Sequence, residues 1–119
     1  MKNIISYIIV ICFLLSCDDI LNVEDISNES VQLLAPTNEA TLNNGNLTFT
    51  WNPIEGAETY HLQIAQPTFD EALQIVRDTL IDNTNFKDSL GLNTYQWRVR
   101  AENTSYSTQY TTNTLTIEE

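Results

Sequence analysis

Two hydrophobic patterns divide the chain. Ile4 to Leu15 is apolar at nearly every position, with Lys2 before it and Ser16-Cys17-Asp18-Asp19 after it. A positive charge, an apolar stretch of roughly 7 to 15 residues and a small residue at the break predict a secretory signal peptide over residues 1–16. A bilayer-crossing helix would need about 20 apolar residues, and the acids at 18 and 19 cut this run short.

From Val31 onward the chain alternates instead. Leu47, Phe49 and Trp51 form one apolar set, Tyr60, Leu62 and Ile64 a second, and Tyr95, Trp97, Val99 and Ala101 a third. A period of two puts each set on one face of a strand, with Thr48, Thr50, His61, Gln63, Gln96, Arg98 and Arg100 on the other. Asn52-Pro53 and Glu55-Gly56 supply a turn between the first two sets. Shorter strand candidates are Leu33 to Pro36, Ile75 to Ile81, Thr84 to Phe86 and Thr114 to Ile117, while Asp70 to Leu73 reads as loop. No stretch keeps a helical period of 3.6. The prediction is an all-β domain over residues 31–119, seven strands in two facing sheets around one core.

Composition narrows the function. The chain has 119 residues, 5 Lys+Arg against 16 Asp+Glu and a net charge of −11. That length holds one domain, and the charge argues against nucleic acid, whose phosphates require clustered bases. Losing residues 1–16 removes Lys2 and no acid, leaving 4 bases against 16 acids. Residues 18–30 carry Asp18, Asp19, Glu24, Asp25 and Glu29 with no base, so residues 17–30 are expected to form an acidic, solvated tether that starts at Cys17. The two cysteines, Cys12 and Cys17, are too close together in an apolar leader to suggest a structural bridge.

Leu14-Leu15-Ser16-Cys17 resembles the lipobox of bacterial lipoproteins. The resemblance implies that Cys17 becomes the first mature residue and carries the lipid, which anchors the protein to a membrane. The acids after it look like an export tag to the outer face of the outer membrane; the competing reading is that they merely keep the tether soluble. Ala35-Pro36, Trp51-Asn52-Pro53, Gly56 to Leu62 and the run Tyr95 to Asn103 together resemble a fibronectin type III domain, an immunoglobulin-like β-sandwich, as found in surface lipoproteins of Gram-negative bacteria. The resemblance spans about residues 31–117. It implies that Trp51 is core and that Tyr95 makes a corner hydrogen bond at the start of the sixth strand. It carries no integrin role, because no Arg-Gly-Asp loop is present.

Candidate chemistry is sparse. His61 is the sole histidine and has no His or Cys partner in the mature chain, so neither a metal nor a cofactor is expected. No calcium loop or Gly-x-Ser-x-Gly elbow occurs, and nothing selects a carboxylate pair, so an enzyme is not expected. The face carrying His61, Gln63, Gln96, Arg98 and Arg100 is the candidate recognition surface, since forked guanidinium donors suit carboxylates and hydroxyl-rich ligands. The competing reading is that these bases pair with the surplus acids. Tyr106 and Tyr110, in and after the polar loop at 103–108, are the candidate loop contacts for a glycan or a surface protein. Asp78-Thr79-Leu80 and Asp88-Ser89-Leu90 look like acceptors of a bacterial O-glycosylation pathway, at Thr79 and Ser89. The expectation is a lipid-anchored, non-enzymatic binding or assembly module of the outer membrane, an accessory in glycan capture or adhesion at the cell surface. The alternative is a structural lipoprotein facing the periplasm.

Overall fold

The structure is a computed structural model and describes residues 23–119; the leader at 1–16, Cys17 and residues 18–22 lie outside the described residues. The alternating segments form strands that build two sheets. Strands β1 (Leu33–Ala35), β3 (Asn46–Trp51) and β6 (Asn85–Ser89) form a three-stranded sheet in the order β1-β3-β6. Strands β2 (Ala40–Leu42), β8 (Thr111–Ile117), β7 (Asn93–Glu102), β4 (Thr59–Gln66) and β5 (Gln74–Ile81) form a five-stranded sheet in that order.

The strands number eight, not seven, because the chain after Val31 changes sheets. β1 lies antiparallel to β3, whereas β2 runs parallel to β8. Pro36 has no N–H to continue a ladder, Glu39 takes a positive φ of 64°, and two bonds pin the crossing to β8: Glu39 N–H to the Thr114 carbonyl at 2.7 Å, and Thr114 N–H to Asn38 Oδ1 at 2.9 Å. The expected candidate from Leu33 to Pro36 corresponds to β1, whereas β2 has too little alternation over its three residues to be read from sequence.

The inward faces are those set by parity. Phe49, Trp51, Tyr60, Leu62, Ile64, Tyr95, Trp97, Val99 and Leu115 are buried. Phe49 meets Trp97 edge-on at 4.9 Å, and Trp51 meets Tyr60 at 5.8 Å, arrangements that suit the ring quadrupoles. The Tyr95 hydroxyl donates to the Gly91 carbonyl at 2.9 Å, forming the corner bond, here at the start of β7. The turn before β3 approaches the β6–β7 turn so closely that a Cβ on Gly45 would lie 1.9 Å from the Leu90 carbonyl oxygen, which explains the glycine there.

The expected tether does not reach residue 30. Ile26 and Val31 are each 1% exposed and belong to the core, where they close the end of the sandwich near the β3–β4 turn. Asn103 Nδ2 ties this segment down by donating to the carbonyls of Glu24 at 2.8 Å and Gly56 at 3.1 Å. The segment reads as acidic and solvated on average, but Ile26 fills the open end beside Val31, and Glu24, Asp25 and Glu29 stay at the exposed rim. The folded unit therefore begins by residue 23.

A bidentate ion pair spans the two sheets along one open side. Arg77 is registered opposite Ile64 and Asp88 opposite Leu47, so both charges point inward from edge strands. Arg77 Nε and Nη2 donate to the two Asp88 oxygens at 2.7 and 2.8 Å. Inward charges on edge strands also discourage pairing with another chain.

Candidate binding face

The outward row predicted from parity comes together on the five-stranded sheet. Antiparallel register places His61 beside Arg100 and Gln63 beside Arg98, while across β5 the same two residues face Leu80 and Asp78. A register shift at Ile64/Ala65 leaves Val76 as an extra residue, so Ile75 and Arg77 lie on opposite faces of the sheet.

Two clusters share this face. In the first, His61 Nε2 bonds Asp78 Oδ1, Tyr110 Oη lies 3.2 Å from Nδ1, and Glu102 Oε2 lies 3.8 Å from Nδ1. An ionised carboxylate only accepts, so Nε2 carries the proton and Tyr110 donates to Nδ1 in the neutral ring. Glu102 accepts from Arg100 Nε at 2.7 Å. The hydrogen bond from His61 holds the Asp78 carboxyl below the usual aspartate range.

In the second cluster, Arg98 donates from Nε to Gln63 Oε1 at 2.8 Å. Its guanidinium carbon sits 3.9 Å from the Phe69 ring centroid and 4.3 Å from that of Tyr110. Both rings lie within cation–π distance, so the guanidinium is held against two aromatic faces at once. Phe69 reaches over the sheet from the β4–β5 loop, where its N–H donates to Gln96 Oε1 at 2.9 Å. The Arg100 guanidinium carbon lies 5.0 Å from the Tyr110 ring centroid.

His61, Gln63, Gln96, Arg98, Arg100 and Tyr110 therefore meet, while Tyr106 stands apart. Its N–H and carbonyl are held within its own loop by Asn103, and its ring is exposed. Phe69, Asp78 and Glu102 complete the face without having been singled out from the sequence. Outward parity was the available signal for Asp78 and Glu102; Phe69 lies in a loop and carried none. The two O-glycosylation-like triplets are unequal: Ser89 is exposed, its hydroxyl donating to Asn46 Oδ1 at 3.1 Å, whereas Thr79 is half-buried opposite Leu62. Both preceding acids are engaged, Asp78 by His61 and Asp88 by Arg77.

The row Tyr110, His61, Asp78 sets an imidazole between a hydroxyl and a carboxylate, an order also used to activate nucleophiles. Here burial pushes the Tyr110 phenol above its ordinary value of 10.0, the opposite of activation. Burial raises Tyr95 as well. A raised folded-state value means the native state holds these protons more tightly, so that stabilisation is complete below pH of about 10 and is lost as pH rises through the shifted values. Ultraviolet titration of the folded chain should show both phenols ionising above pH 10, and Tyr110→Phe should remove one of the late steps. A tyrosine titration complete by about pH 10 would contradict the burial assigned to them. Among the described residues no group of three His, Cys, Asp or Glu side chains gathers to hold a metal ion.

No family model matches the sequence, and no curated protein matches it. Solved structures do share its fold. The fibronectin(III)-like modules of Clostridium thermocellum CbhA superpose with a TM-score of 0.53 at 10% identity, covering 74% of this chain and 95% of theirs. The structure described as FN3tt mut gives 0.50 at 16% identity, covering 72% and 86%. The domain is thus an all-β sandwich of fibronectin type III-like fold.

Proposed function

We propose that this fibronectin type III-like chain is a non-enzymatic, lipid-anchored binding or assembly module of the bacterial outer membrane, exposed at the surface and serving as an accessory in glycan capture or adhesion. The observation that carries the reading is the concentration of Arg98, Arg100, His61 and two ring side chains on one sheet face of a chain otherwise dominated by acids. Such a face can recognise by forked hydrogen bonds and ring contact without any reaction. Likeness of fold does not assign a ligand, so the argument rests on the face itself.

The folded unit begins by residue 23, which shortens the link to Cys17. Fully extended, that link reaches about 20 Å. The end carrying Ile26 and the β3–β4 turn then faces the bilayer closely, and the binding face stands along its side. A structural lipoprotein facing the periplasm is the competing reading, favoured by the internal pairing of His61 with Asp78 and Arg100 with Glu102.

Protease shaving of intact against lysed cells, with detection of the C-terminal domain, separates the two. Digestion in intact cells is expected, and protection until lysis would move the protein to the periplasm. Cys17→Ala should shift the protein from the membrane to the soluble fraction, because a multiply acylated Cys anchors far more firmly than a single chain. Unchanged membrane sedimentation would refute lipid anchoring.

A further inference from the structure

The chain has about three times as many acids as bases, yet among the described residues the half-buried Arg98 at the centre of the sheet has no carboxylate in ion-pair contact, and its charge reaches Asp78 only at longer range. Among the described residues, Arg77 pairs with Asp88 and Arg100 with Glu102. Arg98 and Lys87 have no carboxylate within 4.0 Å. Lys87 is exposed and solvated by water; Arg98 is half-buried. Asp78, in register opposite Gln63, gives its oxygen to His61 instead.

The unpaired group is also immobilised. The Phe69 and Tyr110 ring centroids lie 3.9 and 4.3 Å from its guanidinium carbon, and Gln63 occupies Nε. What is left unused is the outer edge, where the Nη donors form the planar fork that matches a carboxylate. Holding the fork rigid before binding removes much of the rotamer cost that a free arginine would incur. The protein supplies the ring contacts and the partner for Nε, and the Nη donors have no partner among the described residues.

We infer that the Nη edge of Arg98 is a receptor for a single carboxylate on an otherwise neutral small ligand. A polyanion is disfavoured because the net charge of −11 repels it at long range, and Arg100 is already paired with Glu102, so the Nη fork of Arg98 offers a place for one carboxylate at short range. The inference rests on reading this face as a binding surface.

The test is a nuclear magnetic resonance titration of the full chain, extracted in neutral detergent, following the Arg98 Nε–H resonance. Methyl glucuronide, acetate and neutral methyl glucoside are the three probes. Both carboxylates should move the resonance saturably and methyl glucoside should not. Arg98→Lys, which keeps the charge and loses the fork, should weaken binding about tenfold; Lys87→Gln should leave it unchanged. Glucuronide binding more tightly than acetate assigns the carboxylate to a sugar, and equal binding assigns it to any carboxylate carrier; both results support the receptor. An unmoved Arg98 resonance, equal binding of methyl glucoside, or undiminished binding by Arg98→Lys would overturn it. Failure here with the domain still shaved from intact cells removes only the Arg98 assignment. Carboxylate binding by a protease-protected domain would instead remove the surface reading and leave the receptor.

Discussion

Trp97→Ala should lower the stability of the domain by about 3–5 kcal/mol, enough to unfold a large fraction of a domain whose total is about 5–15 kcal/mol. Trp97 is 0% exposed, stands in the middle of β7 and packs edge-on against Phe49 from the facing sheet. Removing its indole empties the contact between the two sheets at a point where neither can collapse, since each is held by its own ladder. Urea denaturation gives the measurement, and a loss below about 1 kcal/mol would mean that the sheets are not packed around this ring. Trp97→Phe should cost much less. The indole Nε1 is buried without a hydrogen-bond partner, so that substitution removes an unpaired donor together with part of the volume.

The second large effect is expected outside the alternating segments. Ile26→Ala should cost about 2–4 kcal/mol, the usual range for emptying a buried aliphatic site. The side chain is 1% exposed and caps the end of the sandwich beside Val31. A solvated tether would tolerate the substitution without change, so an unaltered denaturation midpoint would restore the tether up to residue 30. Native-state hydrogen exchange offers an independent check: the amide of Glu29, bonded to the Ile26 carbonyl at 2.9 Å, should be protected in the parent chain and released in the variant.

These two expectations differ in how readable their causes were. Trp97 was placed in the core by parity alone, since Tyr95, Trp97, Val99 and Ala101 share one face of any extended strand. Ile26 had no such pattern around it. A lone apolar residue among Glu24, Asp25 and Glu29 lowers no local average, and its burial depends on an opening created by strands that lie far away in sequence.

The same division runs through the candidate face. The outward positions of His61, Gln63, Gln96, Arg98 and Arg100 followed from the alternation of β4 and β7, which is a property of the extended backbone itself. Which acid meets which base did not follow. The extra residue Val76 shifts the register of β5, leaving Asp78 on the outer face near His61 and turning Arg77 inward to Asp88. Phe69 and Tyr110 come from loops at different ends of different strands and meet only over Arg98.

By itself, then, the sequence determined the two-sheet class, the inward rows, the outward row and the leader-like run, because period and composition are local properties of the chain. Tertiary structure alone decided the split of the first strand across both sheets, the docking of Ile26, the ion pairs and the clamp on Arg98. Those depend on register between strands and on the paths of loops, which are fixed by packing at a distance and leave no mark on any one segment.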